Sequence, residues 1–527
     1  MNRNIREKHP KNYLVLVLLI YLVAGTLLLK YYRYQINPDG ISYISIAQKY
    51  LNGDFSNAVN GWWGPMFSWL LAPLLLFGVD PLLTAKILNL LIGVAAIIAV
   101  RALSYRFEMP KLIRTVILFS TVPVVLSFAF SDITPDLLLM TLLSIYLWNV
   151  FCPDYAVNKK WGLQSGFWGG VAYLAKSYAF PFFIVHFFVM NVFHYFRNET
   201  KQEKKKVVHN FLTGALIFAL ISGAWIGLIS SKYGEFTFGT SGKIAYGSVT
   251  SAGFQGLGVY WQGFLEPPNE TALSVWEDPS HLKVPPRQPL GFWGNIGNQF
   301  TITTGIIFKM VNMFVKFSIL SVVVAIAYVL FWLRRFNIKT MPAEVLFPTV
   351  AIVIFAGGYS LITVNARYIW LLFIMLMLMG GYVLGRLRLF ESNFFTKTRR
   401  TVLLIIFFLS FAIPAYQGLK SYANRGRWVH ELSRVLERRV TKDSKIAANT
   451  NWAGSLFLSY HLDCKYYGAQ KKNISKIELK RQLEKYAIDY YLFWGGAAPD
   501  LGFLSNYEEI TGGRIPGLRI YGLKKRR

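Results

Sequence analysis

Cysteine is almost absent from this sequence of 527 residues: Cys152 ends an apolar run and Cys464 lies in the polar tail. The membrane topology that the charges predict places these two residues on opposite sides, so a disulfide between them is excluded. Two such distant thiols also offer no cysteine cluster for zinc. Neither a disulfide framework nor a cysteine-bound metal is therefore expected.

Acidic residues are also scarce, because 27 Asp and Glu stand against 56 Lys and Arg, which gives a formal charge of +29. Such an excess can indicate nucleic-acid binding, but no recognition motif or basic-aromatic module accompanies it. The basic residues instead cluster in short loops between apolar runs, which is typical of loops retained on the cytoplasmic side of a membrane. We therefore predict no nucleic-acid partner.

Long apolar runs dominate the chain, in which 54% of the residues are hydrophobic and 16% are aromatic. A bilayer core needs roughly 20 mostly apolar residues per helical crossing, and runs of that length recur. We predict an α-helical polytopic membrane protein with about eleven transmembrane helices. The predicted spans are 13–30, 82–100, 112–130, 135–151, 163–180, 181–196, 207–231, 305–333, 343–363, 367–385 and 401–419.

The distribution of charge predicts the topology. With a cytoplasmic N-terminus, every strongly basic short loop falls on one side, and an odd number of crossings puts the C-terminus outside the cell membrane. The chain then divides into a transmembrane domain, 1–419, and a soluble extracytoplasmic domain, 420–527. Two long loops of the transmembrane domain, 31–81 and 232–300, are also predicted to be external.

The first long loop contains Ile44, Ala47 and Leu51 at helical spacing, flanked by Tyr43 and Tyr50. This pattern predicts a short helix that lies in the membrane interface. A second apolar segment, from Gly64 to Val79, is too short to span comfortably and is predicted to be half-buried or re-entrant.

The tail 420–527 alternates helical and strand-like segments, which is typical of a small α/β domain. Strands are predicted at 445–449, 489–493 and 518–523. The two helical stripes are Trp428, Leu432, Val435 and Leu436, then Leu479, Leu483 and Tyr486.

Asp39 lies in a Pro-Asp-Gly turn just beyond the first span. On position alone, such a carboxylate is most often solvated or caps the following helix. Several further motifs occur on the same predicted side of the membrane. Together they are Asp39-Gly-Ile-Ser-Tyr43-Ile-Ser-Ile46-Ala47, Leu51-Asn-Gly53-Asp54-Phe55, Pro65 with Trp69, Ser131-Asp132-Ile-Thr-Pro135-Asp136, and Arg367-Tyr368.

With these motifs the chain resembles the membrane glycosyltransferases that use polyprenyl-phosphate sugars, the GT-C type that includes protein O-mannosyltransferases and lipid A aminoarabinose transferases. The resemblance extends over nearly the whole length and implies that Asp39 is the catalytic residue. The chain departs from the family at Gly64, where related transferases often carry a lysine, and after Tyr368, where a proline is common. The possible supporting residues are Tyr43, Asp54, Asp132 and Asp136.

Transfer of a sugar from a lipid phosphate needs a base for the acceptor hydroxyl and cations for the departing phosphate. Lys176 and Arg367 are candidate phosphate-binding residues, because Lys and Arg are otherwise rare in the short external turns. Each is equally well explained as a snorkelling anchor. Arg367 has the better claim, since a guanidinium can hold a phosphate through two hydrogen bonds and Tyr368 adds a hydroxyl beside it.

Other residues have competing explanations. Asp132 and Asp136 fit helix capping or an internal ion pair as well as a catalytic role. A short window of the second long loop offers metal ligands, although its Asp-Pro pair more commonly begins a turn. No cofactor is predicted, and a divalent metal is left open. The window contains Glu277, Asp278 and His281, and the rings that could stack on a sugar are Trp62, Trp63 and Trp261.

The predicted function is inverting transfer of a sugar from a polyprenyl-phosphate donor to a hydroxyl of a lipid, glycan or protein at the outer face. The alternative is a transporter or flippase of an anionic lipid or solute, which would place ionisable residues in mid-span. A scaffold that only needs anchoring would require far fewer spans. The expected partners are the lipid-phosphate donor, membrane lipid and an acceptor that the sequence does not identify.

Overall fold

The computed structural model describes residues 11–242, 245–246, 262–282, 291–334, 337, 339–386, 396–495 and 502–523. Most of this part is helical. The helices are α1 Lys11–Tyr32, α2 Pro38–Leu51, α3 Phe55–Ala58, α4 Pro65–Leu75, α5 Pro81–Ser104, α6 Lys111–Ser131, α7 Asp136–Val150, α8 Lys160–Ala175, α9 Ala179–Arg197, α10 Lys201–Tyr233, α11 Gly291–Phe317, α12 Leu320–Arg334, α13 Ala343–Ser360, α14 Trp370–Arg386, α15 Lys397–Tyr422, α16 Arg427–Leu436, α17 Trp452–His461 and α18 Lys476–Lys485.

Within the described residues, nine helices are long and apolar enough to cross a membrane. Three shorter apolar helices, α4, α7 and α12, add to them. Helix α7 has only 15 residues but is almost wholly buried among its neighbours. The predicted class, a polytopic helical membrane protein with a small C-terminal sheet, is confirmed.

The predicted span 305–333 is not one helix, because α11 ends at Phe317 and α12 starts at Leu320. The hydroxyl of Ser318 lies at the break: it accepts a hydrogen bond from the Leu320 amide at 3.2 Å and donates to Ser410 of α15 at 3.1 Å. A side chain that caps the second helix competes with continued helical hydrogen bonding. The expectation of one continuous helix is therefore wrong.

Helices α11 and α12 nevertheless form one continuous path beside α13. Near the start of α11, the Gln299 side chain donates to the Leu361 carbonyl at the end of α13, at 3.2 Å. In α12, the Tyr328 hydroxyl donates to the Glu344 carbonyl at the start of α13, at 3.0 Å. Helices α11 and α12 together thus run the length of α13 in the opposite direction.

Loop 31–81 folds into the three short helices α2, α3 and α4. The predicted helix exists as α2, but Ile44 and Ala47 are fully buried against other protein elements. The expectation that this stripe faces the membrane interface is therefore wrong for these two residues. Packing against α4 and the turn around Trp276 covers them instead.

The C-terminal part forms a five-stranded sheet in the order β2-β1-β3-β5-β4. Strand β1 pairs in parallel with β2 and β3, whereas β5 is antiparallel to β3 and β4. The predicted strands correspond to β1, β3 and β5, but β2 and β4 were not predicted. The bounds are β1 Lys445–Ala448, β2 Lys465–Ala469, β3 Tyr490–Trp494, β4 Glu508–Glu509 and β5 Leu518–Gly522.

The buried face of α16 agrees with the predicted stripe only in part. Leu436 is fully buried as predicted, whereas Trp428 and Val435 are 49% and 60% exposed, and the fully buried Val429 was not predicted. The true face includes the small polar residue Ser433, which a search for apolar side chains alone overlooks. Helix α16 follows α15 after a short turn and packs against α17 of the sheet layer.

The sheet lies at one end of the helical bundle, which we call the sheet end. A stretch of the second long loop joins the edge strand β2: the Tyr466 amide donates to the Leu273 carbonyl, and the Leu265 amide donates to the Tyr467 carbonyl, both at 2.7 Å. Helix α17 packs against α2 at the same end. The sheet, the loop and the helix that carries Asp39 therefore meet there.

Candidate active site

Asp39 is in the first turn of α2, which begins at Pro38. The side chain of Asn37 binds the turn between α6 and α7, since its Oδ1 accepts a hydrogen bond from the Ile133 amide at 2.9 Å. Gly40 allows this approach, because a Cβ there would lie 2.7 Å from the Ile133 Cβ. The start of α2 is thus held directly beside Asp132 and Asp136.

Arg367 is the centre of the charge cluster. It lies in a short 3-10 turn, Ala366–Ile369, that leads into α14. Its guanidinium forms an ion pair with Asp39 and lies 3.5 Å from the Asp136 Oδ2 and 3.8 Å from the Asp132 Oδ2. One arginine therefore faces three carboxylates that come from two separate loops.

Lys176 directly follows the last residue of α8, Ala175, where the predicted span 163–180 is interrupted. Its Nζ lies 2.5 Å from the Asp136 Oδ1 and 3.7 Å from the centre of the Tyr368 ring. The lysine is therefore turned towards the protein and joins the same cluster as Arg367. This geometry disagrees with a snorkelling anchor, whose charge would point into water.

The cluster contains three carboxylates and two cations. The Asp136 side chain is only 2% exposed, so its two cationic partners are needed to offset the cost of burying a charge. Burial raises the pKa of Asp132, and the charge of Arg367 opposes that rise. Asp136 shows the predicted internal ion pair with Lys176, and its Oδ2 accepts a hydrogen bond from the Thr134 hydroxyl at 2.8 Å.

Position 64 lies against the end of α8. A Cβ on Gly64 would be 2.5 Å from the Ala175 carbonyl oxygen and 2.6 Å from the Leu174 carbonyl oxygen, so no side chain fits there. The residue that follows Ala175 is Lys176, whose ammonium group contacts Asp136. The packing of Gly64 therefore adjoins the segment that supplies this cation.

Two tyrosines border the cluster. Tyr43 is on the inner face of α2 and is 3% exposed. Burial, followed by the negative charges of Asp136 and Asp39, raises the pKa of Tyr43, so its hydroxyl stays protonated as a hydrogen-bond donor. Tyr368 presents its ring to Lys176, and the Arg367 guanidinium carbon lies 5.5 Å from the same ring centre.

Trp276 was not among the predicted site residues. Its indole Nε1 donates a hydrogen bond to the Asp39 Oδ1 at 3.1 Å. Its ring centre is 5.9 Å from that of Trp62 and 6.1 Å from that of Trp63, so an aromatic group adjoins the carboxylate. The tryptophan-rich composition of loop 232–300 was the only signal in the sequence, and it does not indicate which ring reaches Asp39.

Asp54 is not brought to the cluster. It follows the far end of α2, roughly 20 Å from Asp39 along a helix that rises about 1.5 Å per residue. Its carboxylate accepts hydrogen bonds from Asn57 at 2.9 Å and Thr271 at 3.1 Å. These contacts give Asp54 a structural role, because they hold loop 31–81 together and connect it to the second long loop.

The window proposed for metal ligands serves a structural purpose. The Glu277 carboxylate forms a buried ion pair with Lys49, and Asp278 accepts a hydrogen bond from Tyr233 at 2.7 Å. In the described part of the chain, no group of three or more His, Cys, Asp or Glu residues is arranged to hold a metal ion. The His281 side chain and Trp261 lie outside the described residues.

Comparison with known proteins gives the class to which this fold corresponds. Residues 63–226 match the sequence family described as dolichyl-phosphate-mannose-protein mannosyltransferase. No curated protein matches the chain in sequence. The suspected resemblance to the GT-C membrane glycosyltransferases is confirmed by this match together with the structural similarities.

Three solved structures show the similarity of fold. ArnT from Cupriavidus metallidurans, bound to undecaprenyl phosphate, has a TM-score of 0.53 at 14% identity, over 97% of this chain and 98% of that one. The oligosaccharyltransferase of Archaeoglobus fulgidus has a TM-score of 0.53 at 12% identity, over 92% and 70%. The mycobacterial arabinofuranosyltransferase AftD has a TM-score of 0.52 at 11% identity, over 98% of this chain and 42% of that one.

Together with the family match over residues 63–226, these similarities support membrane glycosyl transfer as the general activity. At such low identity they establish the fold, and the donor and acceptor follow from none of them. The chain spans nearly the full length of the ArnT structure.

Proposed function

We propose that the protein transfers a sugar from a polyprenyl-phosphate donor to a hydroxyl acceptor at the outer face of the membrane, with inversion at the anomeric carbon. The observation that carries this proposal is the placement of Asp39 beside Arg367 and Lys176, which unites a potential base with two cations at one end of the bundle. The undecaprenyl phosphate bound to the structurally similar ArnT supports a lipid-phosphate partner.

In the proposed reaction, Asp39 accepts the proton of the acceptor hydroxyl as its oxygen attacks the anomeric carbon. The new bond joins the acceptor oxygen to that carbon, and the bond from the carbon to the phosphate oxygen breaks. The electron pair leaves with the polyprenyl phosphate. Arg367 and Lys176 stabilise the negative charge that develops on the phosphate.

The contacts of Arg367 support its role in binding the phosphate. The guanidinium contacts Asp39 closely, whereas its distances to Asp136 and Asp132 are 3.5 and 3.8 Å. A phosphate can take the place of the two longer contacts, because an arginine presents several N–H donors in one plane. Lys176, which contacts the Asp136 carboxylate that Arg367 also faces, adds a second cation for the phosphate.

The location of the cluster favours an enzyme over a transporter. Asp39, Lys176 and Arg367 all lie at helix ends, at the start of α2, just after α8 and just before α14. Transported ions and solutes are instead bound near the middle of interrupted spans. We place the sheet end outside the cell, as the loop charges predict.

The decisive experiment compares Asp39→Asn with Asp54→Asn. Asp39→Asn preserves size and hydrogen bonding but removes the base, so we expect a folded protein that retains lipid-phosphate binding and transfers sugar at least about 100-fold more slowly. Asp54→Asn, the matched control in the same loop, should transfer at the parent rate. An active Asp39→Asn with an inactive Asp54→Asn would assign the base to Asp54, and activity in both would remove the main support for the enzyme.

A further inference from the structure

The Asp39 carboxylate is held through both of its oxygens. Oδ2 pairs with the Arg367 guanidinium, and Oδ1 accepts the hydrogen bond from the Trp276 indole at 3.1 Å. In the proposed reaction Arg367 also binds phosphate, so its guanidinium is shared between Asp39 and the donor. The indole is an uncharged donor that does not compete for phosphate, which leaves it free to fix the carboxylate throughout.

The backbone of Trp276 is anchored on the helix that carries Asp39. Its carbonyl oxygen accepts hydrogen bonds from the Ser42 hydroxyl at 3.0 Å and from the Trp63 indole at 3.3 Å. The neighbouring Glu277 is tied to α2 through its buried ion pair with Lys49. Both ends of the hydrogen bond between Trp276 and Asp39 are thus fixed to one rigid element.

The C-terminal sheet supports Trp276 from the other side. Strand β2 is an edge strand, and the segment before Trp276 pairs with it through Leu273 and a parallel bridge between Ser274 and Tyr466. The ring of Trp452, at the start of α17, lies 6.0 Å from the Trp276 ring. An exposed edge strand can bind an extended segment in this way.

We propose that Trp276 is a positioning residue that orients the Asp39 carboxylate towards the acceptor, and that the edge of the C-terminal sheet holds Trp276 in place. The inference rests on the proposed function, in which Asp39 is the base. It assigns to the sheet a part in the catalytic step, through the chain of contacts from β2 to Trp276 to Asp39.

The test is Trp276→Phe in the full-length protein, with steady-state transfer from a defined polyprenyl-phosphate sugar to a soluble acceptor analogue. Phenylalanine keeps an aromatic ring beside Trp62 and Trp452 but removes the N–H. We expect kcat to fall about tenfold, because a carboxylate that loses an orienting donor is less often in the reactive geometry, with both KM values within about twofold of the parent. The matched control is Trp494→Phe, which removes the indole donor to the Ser455 hydroxyl, 2.8 Å away in the sheet layer, and should leave kcat unchanged.

A parent-like kcat in Trp276→Phe would overturn the proposal, and so would a raised acceptor KM with unchanged kcat. The third contrary result is an equal loss of kcat in Trp276→Phe and Trp494→Phe that is explained by an equal fall in their melting temperatures. If Trp276→Phe does not fold, Trp452→Phe tests the support from the sheet, and we expect about a threefold loss of kcat. A parent-like kcat in that variant would contradict the inference.

Asp39→Asn, assayed in parallel, separates the two proposals. If Asp39→Asn is active, Asp39 is not the base. If Asp39→Asn is inactive and Trp276→Phe transfers at the parent rate, only the role of Trp276 is refuted.

Discussion

Asp39 and Arg367 are 328 positions apart in the chain and form an ion pair at the sheet end of the bundle. The pair joins the first turn of α2 to the turn that precedes α14. Its two members are proposed to act on opposite sides of one reaction, the carboxylate on the acceptor proton and the guanidinium on the leaving phosphate. Their contact therefore sets the distance between the two halves of the site.

Arg367→Lys keeps the positive charge but loses the planar arrangement of donors that reaches Asp39, Asp136 and Asp132. We expect the transfer rate to fall by roughly 100-fold, because one ammonium cannot serve several oxygens in fixed geometry. Steady-state kinetics with a lipid-phosphate sugar would measure this loss. Arg386→Lys is the control, since Arg386 forms an exposed pair with Glu108 at 3.0 Å. Equal activity of Arg367→Lys and the parent would assign phosphate binding elsewhere.

Gly64→Ala tests the packing that places Lys176. The new Cβ would meet the Ala175 carbonyl oxygen at 2.5 Å, and backbone atoms cannot move aside cheaply. We expect a loss of about 1–3 kcal/mol in the free energy of unfolding, together with a higher KM for the donor as the end of α8 shifts. Thermal unfolding in detergent and donor titration would record the two effects.

Gly223→Ala is the control for that substitution. A Cβ at Gly223, in α10, would meet no atom within 4 Å, so its effect on stability should be small. If both variants unfold at the parent temperature, the close approach of Gly64 to α8 does not exist in solution.

The interface between α16 and α17 should be sensitive to acid. Burial, followed by the charge of His430, lowers the pKa of His461 from its ordinary 6.5 to about 4, although Asp80 and Asp463 oppose the shift. A histidine whose pKa is lowered on folding stabilises the fold fully above about pH 6.5, and this stability is lost as the pH falls towards about 4. The melting temperature of the parent should decrease over that interval.

His461→Gln isolates this contribution, because glutamine stays neutral at every pH. Between about pH 6.5 and 4, the melting temperature of the variant should fall less than that of the parent, because carboxylates elsewhere titrate equally in both. Parallel curves of melting temperature against pH for the two proteins would show that His461 does not contribute to the acid sensitivity.

The predicted topology is tested by reporters fused after Leu523. We expect an export-active reporter to give a signal and a cytoplasm-active reporter to be silent, because the basic short loops favour retention on the opposite side. The reverse pattern would place Asp39 and the sheet in the cytoplasm and would rule out transfer at the outer face.

Much of the candidate site was predictable, because charged residues at the ends of apolar helices are conspicuous in the sequence. Lys176 and Arg367 were selected on that ground and Asp39 through the family resemblance, and the structure brings the three together. Asp54 was selected within the same family motifs, but it lies at the other end of α2. Local pattern identifies unusual residues and does not indicate which of them face each other.

The sequence by itself determined the class of protein and most of the helices and strands, since apolar length and periodicity are local properties that a bilayer or a core selects directly. Only the tertiary structure decided that Lys176 pairs with Asp136, that Ser318 breaks a span, and that Trp276 contacts Asp39. Each of these depends on contacts between segments far apart in the chain. Such contacts are set by the packing of the whole bundle, which leaves little trace in the residues nearby.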